Sequence, residues 1–285
     1  MRRSFSADPG DGAKDTRIYP PRHASEPRCS FAPSALLAAL PPGYTGTNDR
    51  GPDLAPRPSL SRLGRVFDLP KSLQITPELH RYLVEHGTPP DAVQRELIEA
   101  TRRLGDVSIM QVSPEQGAFL TLLARLLGAR QALEVGTFTG YSTLCLARGL
   151  GEGGRVLTCD VSETWTRIAR EHWEKAGLAE RIELRIGPAL ETLRRLPEDE
   201  SWDLGFIDAD KPGYPDYYEE ILKRLRPGGV VLVDNVLWSG NVVDPTKDDP
   251  NTRAIRAFND RVAGDERVEA VVLPIADGLT LARKR

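Results

Sequence analysis

Apolar residues recur at two different spacings along this 285-residue chain, and the change of spacing divides it. From about Ile75 they fall three and four apart in TPELHRYLVEHG (76–87), DAVQRELIEATRRLG (91–105) and SPEQGAFLTLLARLLG (113–128), which predicts three amphipathic helices. Thr76 and Ser113 stand where N-caps belong, Glu115 and Gln116 fall in the third helix's first turn, and Gly87 closes the first helix. Beyond residue 130, short apolar runs take over: QALEV (131–135), RVLTCD (155–160), RIELRI (181–186), WDLGFID (202–208) and GVVLVDN (229–235). Amphipathic stretches separate them, ending in signals such as RPGG at 226–229. Alternation of helices with nearly continuous apolar strands predicts a parallel sheet covered on both faces. The last two runs, RVEAVVLPI and GLTLARKR, are joined only by turn residues and should pair antiparallel. The expected fold is doubly wound α/β: a mostly parallel seven-stranded sheet with an antiparallel C-terminal hairpin, helices on both faces and additional N-terminal helices.

Residues 1–65 show neither period. Eleven of the 23 prolines lie within residues 1–72, mixed with Gly, Ser, Asp and Arg, a composition that buries too little apolar surface to offset chain entropy. The expectation is a disordered extension over 1–65 and one globular domain over 66–285. No apolar run reaches the ~20 residues of a membrane span, so no membrane partner is expected. Three cysteines, Cys29, Cys145 and Cys159, form no CxxC, which reads as reduced thiols in a cytoplasmic setting. Four scattered histidines offer no metal-ligand spacing. Residues 1–72 carry 11 Lys/Arg against 7 Asp/Glu, leaving 27 against 34 beyond. A body with that acidic excess is a poor general partner for nucleic acid, although the basic segments RLGR (62–65) and LKRLR (222–226) are local exceptions.

The chemistry-bearing residues gather at predicted strand ends, where doubly wound sheets bind ligands. LEVGTFTGYS (133–142) places Glu134 near the end of an apolar strand and follows it with Gly136 and Gly140, which allow close backbone approach to a ligand. GTFTG is not a GxGxxG fingerprint, and the Glu134 carboxylate opposes a pyrophosphate while suiting an amino group. Asp160, ending the second strand, is placed to accept the hydroxyls of a ribose, or else to cap the next helix, a job open also to Ser162. A nucleoside site without phosphate recognition points to S-adenosylmethionine (SAM). Asp208, Asp210 and Lys211 close the fourth strand in FIDADK, and Asp234 with Asn235 close the fifth in VDN. Asp208, Asp234 and Asn235 are hard oxygen donors suited to Mg²⁺, and thiolate or imidazole donors are absent from the set. A divalent cation there would acidify and orient two adjacent hydroxyls of an acceptor. It would also weaken a neighbouring ammonium's hold on its proton, which makes Lys211 the candidate base.

With these residues in view, the chain from about residue 75 onward resembles the catechol and caffeoyl-CoA O-methyltransferase family, whose members are class I, SAM-dependent and metal-dependent. LEVGTFTGYSTLCLA is similar to its first motif, FIDADKPGYPDYY and GGVVLVDNVLWSG to its two metal segments, and PIADGLTLARKR to its C-terminus. The resemblance implies a Rossmann-like methyltransferase fold, and SAM plus Mg²⁺, or another divalent cation such as Mn²⁺ or Ca²⁺. It implies metal ligands Asp208, Asp234 and Asn235, with Lys211 catalytic. Cofactor contacts are implied at Met110, Val112, Glu134, Gly136, Ser142, Asp160, Ala189 and Asp208. Pro188 stands where many relatives have Asp, which leaves adenine recognition there without a side-chain contact. Tyr141 and Trp238 match pocket-lining positions and are equally readable as packing aromatics. The implied acceptor is a small aromatic molecule with vicinal hydroxyls, and the implied assembly a homodimer. Hydroxylated uridine in tRNA is an acceptor of some relatives and is the alternative, disfavoured by the acidic body. A noncatalytic SAM-binding protein is opposed by the intact Asp208, Lys211, Asp234 and Asn235 set, and a NAD-dependent oxidoreductase by the missing GxGxxG.

Overall fold

The computed structural model describes residues 73–285, so the disorder expected for 1–65 lies outside the described residues. The elements are α1 (Pro77–His86), α2 (Ala92–Arg102), α3 (Pro114–Leu126), β1 (Gln131–Val135), α4 (Tyr141–Gly149), β2 (Arg155–Asp160), α5 (Glu163–Lys175) and β3 (Ile182–Ile186). They continue with α6 (Ala189–Arg195), β4 (Trp202–Ile207), α7 (Tyr214–Arg224), β5 (Leu225–Val233), α8 (Pro250–Ala263), β6 (Val268–Leu273) and β7 (Leu279–Lys284). Short 3₁₀ segments cover Gly105–Met110, Lys211–Gly213 and Trp238–Val243.

The seven strands form one sheet in the order β3-β2-β1-β4-β5-β7-β6. The first five pair in parallel, and β7 runs antiparallel to both β5 and β6. The expected fold class is therefore the observed one, and the order reverses between β1 and β4, which places the switch point beside the loop after β1.

One boundary differs. RPGG at 226–229 reads as a helix stop followed by a turn, yet β5 begins at Leu225 and runs through it. Pairing of β4 with β5 shifts register between Trp202 and Leu204, and Arg226 Nε reaches Asp203 Oδ1 at 2.6 Å. That ion pair and the left-handed Gly228 (φ 78°) let an irregular segment stay attached to the sheet.

Side-chain alternation divides the core in two. Ala132, Val156, Leu204, Phe206, Val230 and Leu232 pack with α2–α5 on one face. Leu133, Val135, Leu157, Ile207, Val231 and Val233 pack with α6–α8 on the other. By the same alternation Glu134, Thr158, Asp208 and Asp234 belong to the α2–α5 face. Three acidic groups, Glu134, Asp208 and Asp234, thus reach the carboxyl edge of adjacent strands, which no purely structural strand pattern requires.

Candidate active site

The loop after β1 is held by its neighbours' backbones. Gly136 N–H donates to the Cys159 carbonyl at 2.9 Å, and Asp208 N–H to the Val135 carbonyl at 2.9 Å. Gly136 has φ 97°, and a Cβ on it would overlap the Asp208 carbonyl, so only glycine lets the β1 loop pass over the end of β4. Gly140 (φ 81°) starts α4 against Ala169 and Trp173, and its carbonyl accepts from Trp173 Nε1 at 3.1 Å.

Glu134 is 1% exposed. Thr143 of α4 and Thr158 of β2 (2.6 Å) both donate to its Oε2, while Oε1 is buried with no partner among the described residues. Burial pushes this carboxyl up to about 7, against the opposing pull of the threonine hydroxyls. A carboxylate with one oxygen anchored and the other bare is built to receive a cationic or hydrogen-bond-donating group.

The capping role open to Asp160 falls to Ser162, and the Asp160 carboxylate engages the loop after β1. Oδ2 accepts from the Thr137 (3.0 Å) and Phe138 (2.7 Å) N–H groups, and Oδ1 from Ser162 N–H at 2.7 Å. Ser162 caps α5 through Trp165 N–H. Asp160 therefore braces the glycine loop with both lone pairs of Oδ2, and Oδ1 keeps a further lone pair for a ligand.

The second group lies beyond β4 and β5. Ile207 and Val233 are register partners, so the next residues, Asp208 and Asp234, sit side by side. Asp234 is 3% exposed, and its Oδ1 accepts from Asn235 N–H at 2.7 Å. Burial, then repulsion from Asp208, pushes the Asp234 carboxyl up to about 7. Burial likewise raises Asp208, with Lys211 opposing. The Lys211 ammonium, itself buried, lies 2.7 Å from Asn235 Oδ1, 3.4 Å from Asp208 Oδ1 and 2.5 Å from the Tyr214 hydroxyl. Tyr214 in turn donates to the Asp234 carbonyl at 3.1 Å. Asp208 and Asn235 thus converge on a common cation, and Asn235 adopts φ 58°, which aims its side chain inward at a backbone cost asparagine tolerates.

The remaining sequence-derived positions fall in different places. Val112 and Ser142 are buried, whereas Met110 is 43% exposed at the end of its 3₁₀ segment. Ala189 is buried at the start of α6 behind Pro188, which offers no side-chain cap. Tyr141 packs in the core, where a Cβ on Gly117 would meet its ring, and Trp238 stands with its ring centroid 5.5 Å from Lys211 Nζ. Cys145 and Cys159 are buried free thiols, pushed up to about 12 by burial, and carry no chemistry here. Thr143, Thr158 and Tyr214 are the parts that sequence reading missed; a threonine inside the otherwise apolar run VLTCD is the one signal that was present.

A doubly wound sheet with this strand order and acidic groups at the carboxyl ends of its central strands defines a class I methyltransferase. The O-methyltransferase family model matches residues 85–285, and the chain belongs to that family. It is 43% identical over 216 residues, 74% of this chain and 94% of the relative, to a probable caffeoyl-CoA O-methyltransferase 1 of Dictyostelium discoideum. Among solved structures it resembles the Bacillus cereus O-methyltransferase in complex with SAH, at 40% identity and TM-score 0.68, covering 73% of this chain and 97% of that one. It also resembles TomG of Streptomyces achromogenes, involved in tomaymycin synthesis and solved with SAM, at 36% identity and TM-score 0.67, covering 73% and 96%. Among the described residues no helix is long and apolar enough to cross a membrane.

Proposed function

We propose that this chain transfers the methyl group of SAM to one hydroxyl of a vicinal dihydroxy aromatic small molecule, using Mg²⁺ or an equivalent divalent cation. The observation that carries this reading is the side-by-side placement of the buried Asp234 carboxylate and the partly buried Asp208 carboxylate at the ends of β5 and β4, with the Asn235 carboxamide next to them. Two such carboxylates side by side are costly unless a cation joins them, and three hard oxygens fit Mg²⁺, Mn²⁺ or Ca²⁺. When bound, such a cation supplies acidification and alignment of two adjacent hydroxyl oxygens. Bare Glu134 Oε1 fits the α-ammonium of SAM, and Gly136 carries the adjoining loop over the end of β4. Asp160 and Ala189 supply the ribose and adenine ends, and Met110, Val112 and Ser142 the methionine end.

Lys211 Nζ, in its neutral form, takes the proton of the acceptor hydroxyl. The freed oxygen lone pair then forms the O–CH₃ bond as the S–CH₃ bond breaks, with its electron pair passing to sulfur. Tyr214 and Asn235 hold Lys211 in place for that transfer. The test is label transfer from methyl-labelled SAM to a panel of catechols, including caffeate and a caffeoyl thioester, with Mg²⁺, with EDTA, and with Lys211→Ala. Transfer should need the metal, and Lys211→Ala should lower it about 10²–10⁴-fold while SAH still binds. Undiminished transfer by the variant, or transfer in EDTA, would refute the assignment.

A further inference from the structure

Past Asn235 the chain enters a turn that its residue types resist. Trp238 (φ 47°), Ser239 (φ 53°) and Gly240 (φ 80°) are left-handed in succession, and of the three only glycine adopts that conformation without side-chain strain. Within the turn, Trp238 N–H donates to the Asn235 carbonyl at 3.2 Å and Gly240 N–H to the Leu237 carbonyl at 2.9 Å.

The tip of the β6–β7 hairpin fastens it from outside. The Gly278 carbonyl accepts from Val236 N–H at 3.1 Å, the Asp277 carbonyl from Leu237 N–H at 3.0 Å, and Asp277 Oδ1 from Ser239 N–H at 2.5 Å. A Cβ on Gly278 would stand 2.3 Å from Leu237 Cγ, so the two turns are in tight contact. Beyond Gly240 a different residue takes over: Arg256 of α8 donates to the carbonyls of Asn241, Val242, Asp244 and Lys247. The Asp277 carboxylate therefore bears on Trp238–Gly240 and not on the rest of the loop.

The turn presents the half-buried Trp238 ring, its centroid 5.5 Å from Lys211 Nζ. The Tyr214 ring flanks the same ammonium at 4.7 Å, but it is wholly buried on α7 and packs edge-on to Phe258. Trp238 is only partly enclosed, and its place depends on the backbone that carries it. An acceptor hydroxyl giving its proton to Lys211 must come within about 2.6–3.2 Å of Nζ. Its aromatic ring is then within reach of the indole, at the roughly 4.5–7 Å between centroids that aromatic pairs favour.

We propose that Asp277 is a positioning residue: by accepting from Ser239 N–H, its carboxylate holds the left-handed turn that stands the Trp238 ring beside Lys211 as a wall of the acceptor side. The inference rests on the methyl-transfer reading above.

The experiment compares the full chain with Asp277→Ala, which removes the accepting oxygen, and Asp277→Asn, which keeps one. Acrylamide quenching of tryptophan fluorescence, with the signal of the matching Trp238→Phe protein subtracted, reports the Trp238 ring without acceptor or metal. Acceptor kcat/KM is measured with the catechol panel above, and SAH affinity by calorimetry. Asp277→Ala should raise the Trp238 quenching constant about twofold or more and lower acceptor kcat/KM about 10–100-fold, with SAH affinity within about twofold of the parent. Asp277→Asn should stay within about threefold of the parent in kcat/KM, because a neutral oxygen accepts the same bond. Should Asp277→Ala not fold, the double variant Asp277→Ala/Ser239→Gly replaces it; glycine relieves the strain at 239 and leaves the turn unfastened, so the same losses are expected. Quenching or acceptor kcat/KM that does not change would overturn the proposal, as would an Asp277→Asn variant no better than the alanine one. Equal loss of SAH binding would overturn it as general damage to the crevice. A parent inactive on every catechol would refute the methyl-transfer reading and this inference with it, whereas an active parent with an insensitive Asp277→Ala variant refutes the inference alone.

Discussion

Glu134 offers the most quantitative test, because its burial leaves a pH signature. Its carboxyl rises from the ordinary 4.5 to about 7, first because burial removes water from the charged form. That rise corresponds to about 3 kcal/mol of differential stability between the protonated and ionised forms in the fold. The folded state holds its proton more tightly than the unfolded chain does. The stabilisation is therefore fully present below pH 4.5, declines as pH climbs, and is gone above about pH 7. Glu134→Gln keeps an oxygen for the Thr143 and Thr158 hydroxyls but cannot ionise. Urea unfolding of both proteins without ligand, at pH 5 and pH 8, isolates this group, since other titrations largely cancel in the difference. Between those pH values the parent should lose about 2–3 kcal/mol relative to the variant. Should SAH engage Glu134 Oε1 through its ammonium, binding requires the ionised form, and parental affinity should be about tenfold weaker at pH 6 than at pH 8. The variant should bind SAH weakly with no such pH dependence. A parent–variant stability difference that stays flat within about 0.5 kcal/mol from pH 5 to pH 8 would refute the desolvation argument.

Other substitutions separate backbone from side-chain effects. Gly136→Ala must displace the β1 loop from the Asp208 carbonyl at φ 97°, and should cost at least ~3 kcal/mol in urea unfolding together with most SAH binding; a loss under ~1 kcal/mol would show that the loop yields easily. Asp91→Ala removes a working cap and should cost about 1 kcal/mol or more, whereas Ser113→Ala removes none and should stay within about 0.5 kcal/mol. Similar costs at both positions would contradict the unformed cap at α3. Asn235→Gly and Asn235→Ala both delete the carboxamide, but alanine also pays for φ 58°, so it should be about 1–2 kcal/mol the less stable of the two. Both should lose Mn²⁺ binding equally; retention by the glycine variant would assign the role to the turn and not to the side chain.

Strand ends were legible in the sequence because period and position coincide there: apolar runs that stop on Asp160, Asp208 and Asp234 place those groups at one edge of the sheet. The way each group is braced was not legible. Thr143 and Thr158 meet on one oxygen of Glu134 from 9 and 24 residues away, one on α4 and one on β2, and no local pattern records that meeting. Nor does a single strand ending reveal that Asp160 holds the glycine loop by two N–H groups. The paired helix starts show why local rules stop working here. Asp91 with Gln94 and Ser113 with Gln116 read alike, and each cap is worth about 1 kcal/mol. At α2 the other atoms of Asp91 and Gln94 reach Arg148 and Cys145 without disturbing the cap, which forms on an exposed turn. At α3 the close approach of Gly117 to Tyr141 and Cys145 of α4 sets where the helix starts. Gln116 is buried there with neither amide atom bonded to the cap. A local signature left unformed in a buried helix start thus marks a point at which tertiary packing overrides secondary-structure preference.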